Sequence, residues 1–318
     1  MIKVVNPSVE LWRQEGYTLS AIWKHIARCA RVCYQSVPKN NGEDDYSFLL
    51  RTLFRGVEPE DINTKDLAKY HLSVCEHATV HLKYPLFMPR AAAQSTRFIH
   101  NQYSRTKEHE GYIYVTTNMR VLIEHHWMDE LEFIDNTPNC PYYIPRTTVS
   151  FITDIGASRE LNRHRVNSVS EESTRFCRYV SNKFGNGITV AKLPWIPDVD
   201  ADEQCYSTGF YGDDEIFDKN YIQGHYCEGW NAVDWFLYGL QICDLVYRKT
   251  CELGWTAQQA REILPLNTKT QVVHTAFVDD WEHWIELRAN QVSGKVHPSL
   301  LTLSLKLKDL LYGDNCKS

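Results

Sequence analysis

The chain has 318 residues, of which 43% are hydrophobic, 23% charged and 12% aromatic, and a formal net charge of −6. A globule of this length buries about three quarters of its unfolded surface, so one large core or two smaller ones are accessible. No apolar run is long enough to cross a bilayer, and the acidic balance argues against general nucleic-acid binding, so any anion site must be local. The opening Met1-Ile2-Lys3-Val4-Val5-Asn6-Pro7 lacks the apolar core of a signal peptide. The ten cysteines are scattered and form no Cys-x-x-Cys pair. That spacing points away from a zinc site and toward free thiols in a reducing cytosol.

Read in chain order, Tyr17 to Tyr34 has helical apolar spacing at Leu19, Ile22, Ile26, Ala30 and Cys33. Residues 39–45 form a solvated loop, and Asp45 to Phe54 and Thr64 to His71 read as helical. Thr79 to Tyr84 alternates as a strand closed by Pro85 and Pro89. Residues 90–112 are polar and mixed, which suggests an insertion or flexible excursion. Tyr112 to Thr116 reads as a strand, Asn118 to Glu132 as a helix and Asp135 to Asn139 as a turn. Thr147 to Thr153 alternates, and Asp154 suits the N-cap of a helix running into Arg163. Ile188 to Val190 is a short strand after the turn Gly185-Asn186-Gly187, and residues 196–213 are acidic and irregular. Asp214 to Leu253 reads as a long helix ended by Gly254. A short helix capped by Thr256 contains Arg261 and ends at Pro265, Asp279 to Gln291 is a further helix, and Pro298 opens the last one. Helices and strands do not alternate regularly, so the pattern predicts an α+β fold.

The segment from Arg163 to Phe176 concentrates the chemistry. It holds Arg163, His164, Arg165 and Arg175 beside Glu171, Glu172 and three serines. Arginine presents a permanent charge and a planar fork of donors suited to phosphate or carboxylate, and histidine changes charge near neutral pH. A helix over Ser170 to Arg178 would put Glu171 and Arg175 on one face. The bland alternative is a solvated face with weak surface ion pairs. Against it, Arg-His-Arg followed by seven residues and then Ser arises by chance in on the order of one chain in a thousand.

That spacing, Arg163-His164-Arg165-x7-Ser173 followed by Arg175, resembles the signature of the flavin-dependent thymidylate synthases. Three further segments are similar to the same family. They are Ala30-Arg31-Val32-Cys33-Tyr34, His71-Leu72-Ser73-Val74-Cys75-Glu76-His77, and Ala260 to Leu266 with Leu287-Arg288 downstream. Together they span about residues 20–292, with extra material at 85–146 and 195–225 in an otherwise single domain. The resemblance implies a twisted, mostly antiparallel sheet packed with long helices, in a homotetramer whose sites lie between subunits. It implies methylation of dUMP to dTMP with FAD, methylenetetrahydrofolate as carbon donor and NADPH as reductant, and no protein nucleophile.

For dUMP the resemblance implies Glu160, Arg163, Glu171, Glu172, Ser173, Thr174, Arg175, Arg261 and Arg288. For FAD it implies Cys33, Ser73, Glu76, Arg163, His164, Arg165, Val166, Ser170, His283 and Leu287. Arg288, His71 and Ser173 are expected at the reacting centre, with Ser173 as a binding group. Arg175, Arg261 and Ser173 suit a nucleotide phosphate, and Arg288 suits charge developing on a uracil carbonyl. Cys177 is a tempting thiol whose place fits packing better. Several positions depart from the family pattern: Glu160 stands for a frequent Gln, Phe277, Asp279 and His283 for Asn, Arg and Asn, and Val292 for a frequent His. The altered flavin-side residues motivate one alternative, a pyrimidine-nucleotide hydroxymethylase on the same scaffold, and the arginine cluster a second, a non-enzymatic nucleotide- or nucleic-acid-binding module. A metal site at His125-His126 or at His71 and His77 would lack a complete ligand set.

Overall fold

A computed structural model describes residues 2–36, 42–196, 205–206 and 229–313. The N-terminal strands β1 (Ile2–Val5) and β2 (Ser8–Leu11) precede α1 (Leu19–Tyr34) and α2 (Asp45–Thr52). A 3₁₀ turn, Leu72–His77, leads into β3 (Thr79–Pro85), followed by α3 (Pro89–Ile99), β4 (Arg105–His109), β5 (Tyr112–Asn118) and α4 (Met119–Glu124). Next come β6 (Arg146–Asp154), α5 (Ile155–Leu161), β7 (Ser168–Glu171), β8 (Thr189–Ala191) and β9 (Cys205–Tyr206). The chain ends with α6 (Ala232–Glu252), α7 (Ala257–Ala260), β10 (Lys269–Phe277), α8 (Val278–Arg288) and α9 (Pro298–Tyr312).

The fold is α+β, with its largely antiparallel strands divided among three sheets. Their orders are β2-β6-β10-β7, β3-β5-β4 and β8-β1-β9, and β1 and β8 form a parallel pair in the last. The four-stranded sheet positions the site. β10 pairs along its whole length with β6, Lys269 opposite Asp154 through Phe277 opposite Arg146, and on its other edge with β7. Side chains alternate across the sheet. Val272 and Ala276 join the core under α8 and α9 with Val149, Phe151, Trp281 and Trp284. Val273, on the opposite face, joins the core built around α1 and β3. A strand covered on both faces carries no polar-out alternation, which is why the pattern of Lys269–Phe277 is not read as a strand from sequence.

Several expectations shift. Residues 90–112 are ordered as α3 and β4 and packed on β5 rather than forming an excursion, because Arg105–His109 finds a ladder partner in Tyr112–Thr116. The predicted helix Asn118–Glu132 breaks after Glu124, where His126 takes a positive φ of 54°, and resumes as the 3₁₀ turn Met128–Phe133. The acidic stretch 197–204 and residues 207–228, with much of the expected insertion and the start of the long helix, lie outside the described residues. Among the described residues no helix is long and apolar enough to cross a membrane.

Candidate functional site

β6 ends at Asp154, whose Oδ1 accepts the Ala157 N–H at 2.7 Å and so starts α5. The helix stops within two turns. The N–H groups of Arg163 and His164 donate back to Glu160 and Leu161, so Arg163-His164-Arg165 forms a turn between α5 and β7. Its three side chains point differently. The His164 ring lies 5.2 Å from that of Trp284, and its Nε2 accepts from Arg288 Nε at 3.1 Å. The neutral ring therefore carries its proton on Nδ1. Burial, then the charges of Arg288 and His283, pull its pKa down to about 4. Glu160 Oε2 sits 3.1 Å from Arg163 Nη1 and 3.7 Å from Arg288 Nη1, bridging the two guanidinium groups. Arg165 and Val166 face outward, and no ion pair or hydrogen bond reaches the Arg165 guanidinium among the described residues. Asn167 pins the turn from beneath, its Nδ2 donating to Nδ1 of the buried His274 at 3.2 Å.

The expected helix over Ser170–Arg178 is not formed. Ser168–Glu171 is instead taken into the β10 ladder as β7, and turns follow it. Glu171 and Arg175 therefore do not share a helical face. Glu171 accepts from Thr270 Oγ1 at 3.1 Å and from Asn162 Nδ2 at 3.0 Å, which ties this strand to the arginine turn. Glu172 points inward: it is buried, and its Oε2 lies 2.6 Å from Lys269 Nζ. Burial raises its pKa, and Lys269 counters that shift in part. Ser173 N–H donates to the Cys33 carbonyl at 2.9 Å, fixing this loop to the last turn of α1. Thr174 beside it is half-buried, and Arg175 is exposed and donates to Gln258 Oε1 through Nε at 3.2 Å and Nη2 at 3.1 Å. Arg261 Nε reaches Glu262 Oε1 at 3.3 Å. Cys177 is buried, which pushes its thiol up to about 12 and suits packing rather than attack.

The other expected contacts come from α1, from the segment around the 3₁₀ turn Leu72–His77 and from α8. His71 and Ser73 are exposed, and Glu76 is ion-paired with Arg120, which also holds Glu124 at 2.6 Å. Cys33 is half-buried, and burial raises its thiol pKa. His283 is exposed and Leu287 half-buried on α8. Within one chain, then, Glu160, Arg163, His164 and Arg288 form one group, and Glu171, Ser173, Thr174 and Arg175 a second.

Sequence reasoning missed Lys269, Gln258, His274 and Trp284. The first and third lie on β10, whose pattern carried no signal, and Gln258 lies on a helix only one turn long.

A family model described as Thy1, thymidylate synthase complementing protein, matches residues 133–294. The chain belongs to this family. The matched segment carries the whole arginine turn, β7, Arg261 and Arg288. Two similar solved structures are of a UMP/dUMP methylase PolB from Streptomyces cacaoi, bound with 5-Br UMP and with 5-Br dUMP. Each is 14% identical with a TM-score of 0.39; the alignments cover 98% of this chain and 91% and 92% of those chains. No curated protein matches the chain.

As a Thy1 member the chain is an enzyme of the nucleotide-methylating type, from a family that is flavin-dependent in general. Its residues fit such a cofactor in charge. Arg165 is an exposed cation without a carboxylate partner among the described residues, and Arg163 shares its one carboxylate, Glu160, with Arg288. A diphosphate-bearing dinucleotide needs such surplus cationic donors. Among the described residues no group of three or more His, Cys, Asp or Glu could hold a metal ion.

Proposed function

We propose that this protein methylates dUMP to dTMP, taking the carbon from methylenetetrahydrofolate and reducing power from NADPH through FAD. The observation that carries this reading is the unbroken Arg163-His164-Arg165-x7-Ser173-x-Arg175 spacing within the Thy1 match, with Arg163, Arg165 and Arg175 at the surface. Arg175, Arg261 and Ser173 hold the phosphate, each charge-assisted hydrogen bond contributing about 1.5–3 kcal/mol. Arg288 stands beside the uracil ring, where a cation stabilises negative charge on a carbonyl oxygen. Neutral His164 orients Arg288 through its 3.1 Å hydrogen bond rather than competing as a second charge. Arg163, Arg165 and Val166, with Cys33, Ser73, Ser170 and Leu287, hold the flavin, which when bound supplies hydride chemistry. With this reading goes a homotetramer whose sites are completed between subunits. The Glu172 side chain takes no part in holding the ligand, because its carboxylate is committed to Lys269.

Incubation of the FAD-loaded protein with dUMP, methylenetetrahydrofolate and NADPH should yield dTMP by mass spectrometry. A protein that binds no FAD and leaves dUMP unchanged defeats the proposal. A second reading, hydroxymethylation on the same scaffold, rests on the departures from the family pattern at Phe277, Asp279, His283 and Val292. A product heavier than dTMP by one oxygen would select it.

A further inference from the structure

The paired strands that carry the site also carry a line of buried polar groups, which starts at Ser170 and continues through four residues that the proposed function leaves unassigned. Thr148 on β6 lies opposite Thr275 on β10, and their hydroxyl oxygens are 2.7 Å apart. Thr275 Oγ1 lies 2.8 Å from His77 Nδ1, and His77 Nε2 lies 2.9 Å from Ser170 Oγ. At the other end Thr148 Oγ1 lies 3.1 Å from His25 Nε2. All five residues are buried. Ser170 immediately precedes Glu171 and sits beside the half-buried Cys33 thiol, next to the loop assigned to the nucleotide. His25 and Thr148 line a cavity of about 930 Å³ on the other side of the sheet edge, together with Arg13, Gln14, His81 and Arg146. The line therefore runs from the buried Ser170, beside Cys33, to this cavity.

Its composition is unusual in one respect. A neutral imidazole has one N–H and one bare nitrogen, and a hydroxyl donates once while accepting. Burial pulls the pKa of His25 down to about 4 and that of His77 well below the usual value, so both rings are neutral at neutral pH. Four links between five such groups can then be completed in two ways, with every proton pointing from Ser170 toward His25 or every proton pointing back. Either arrangement completes all four links.

We propose that Ser170, His77, Thr275, Thr148 and His25 form a proton relay between the nucleotide-side strand and the cavity beneath α1. This rests on the reading above, in which a methyl group replaces a hydrogen on the pyrimidine ring. That C–H bond breaks, its electron pair stays with the ring, and a proton must leave. The proton is taken up at the Ser170 end, and Ser170 passes its own proton to His77 Nε2. His77 passes its Nδ1 proton to Thr275, Thr275 to Thr148 and Thr148 to His25 Nε2, while His25 gives its Nδ1 proton to water in the cavity. One proton enters and one leaves, and no group stays charged. The return stroke carries a proton inward, as reduction by NADPH with opening of the folate bridge requires.

Two measurements test the relay. In ¹⁵N spectra of the histidine rings of the full chain without cofactor, His77 should show averaging between its two neutral tautomers, and Thr275→Val should lock it in one. A single His77 tautomer, unchanged by Thr275→Val, overturns the relay. In the FAD-loaded enzyme, Thr148→Val should lower turnover about tenfold or more, within the span of general acid–base effects, and leave KM for dUMP unchanged. Thr148→Ser, which keeps the hydroxyl, should restore turnover. Unchanged turnover in the valine variant, or loss that serine does not rescue, also overturns it. Wild-type protein inert toward dUMP would instead sink the functional reading, and the ring spectra would still judge the relay.

Discussion

At the Arg163 end of the central segment Arg163 and Arg165 lie at the surface and Arg163 shares its one carboxylate with Arg288, whereas at the Glu172 end a carboxylate and an ammonium group close on each other inside the protein. The two ends are separated by one short strand, yet their charges serve different purposes. Arg163, Arg165 and Arg175 keep donors open to solvent and hence to a ligand. Glu172 and Lys269 use theirs to hold the loop after β7 against β10, with the Glu172 N–H also donating to Gln271 at 2.8 Å. Nearness in a charged sequence window thus does not mean shared function. What separates the two is which side chains the sheet turns inward.

The contrast can be broken most forcefully at its buried end. Glu172→Ala leaves Lys269 without its partner in a nearly closed site, where removing one member of a buried pair costs about 3–5 kcal/mol. Urea unfolding should show that loss, and a change near zero would mean that the pair holds nothing. At the open end, Arg288→Ala should reduce turnover on dUMP by about a hundredfold or more, in line with removing a donor aimed at developing charge. Its unfolding midpoint should move far less than that of Glu172→Ala, and steady-state kinetics beside denaturation separates the two effects. Arg165→Ala should weaken FAD binding by about 1.5–3 kcal/mol, the size of a charge-assisted hydrogen bond, and leave stability within about 0.5 kcal/mol. Fluorescence titration of the flavin reads the first and thermal unfolding the second.

The gentlest test is pH. His164, His25 and His81 have folded pKa values of about 4, and His274 about 3, all below an unfolded value near 6.5. The unfolded chain binds more protons across that interval, so stability contributed by keeping these rings neutral is full above pH 6.5 and falls as pH drops toward 4. The unfolding midpoint should decline over that window, and His164→Gln should make the decline shallower. A midpoint flat between pH 6.5 and 4 would contradict the buried, neutral state of these rings.

Much of the candidate site was legible because arginine, histidine and serine at a fixed spacing are themselves the chemical signal. Helix ends were legible for a similar reason: Asp154 caps α5 and Thr256 caps α7 through contacts only two or three residues away. β10 was not legible, because a strand buried on both faces lacks the alternation that marks a half-exposed one. Nor was β7, whose Ser-Val-Ser-Glu run continues equally well into a helix until β10 supplies hydrogen-bond partners.

By itself, then, the sequence determined the chemical inventory and its family: the arginine turn, the serine seven intervening residues beyond it, and the local caps that deliver them. Only the tertiary structure decided that Glu172 faces Lys269 while Arg165 faces water, and that Ser170 meets His77 across 93 residues of chain. The physical reason is one of range. Spacing and capping are set by neighbours along the chain, whereas the face on which a side chain falls is set by strand register and by the elements packed on either side of the sheet.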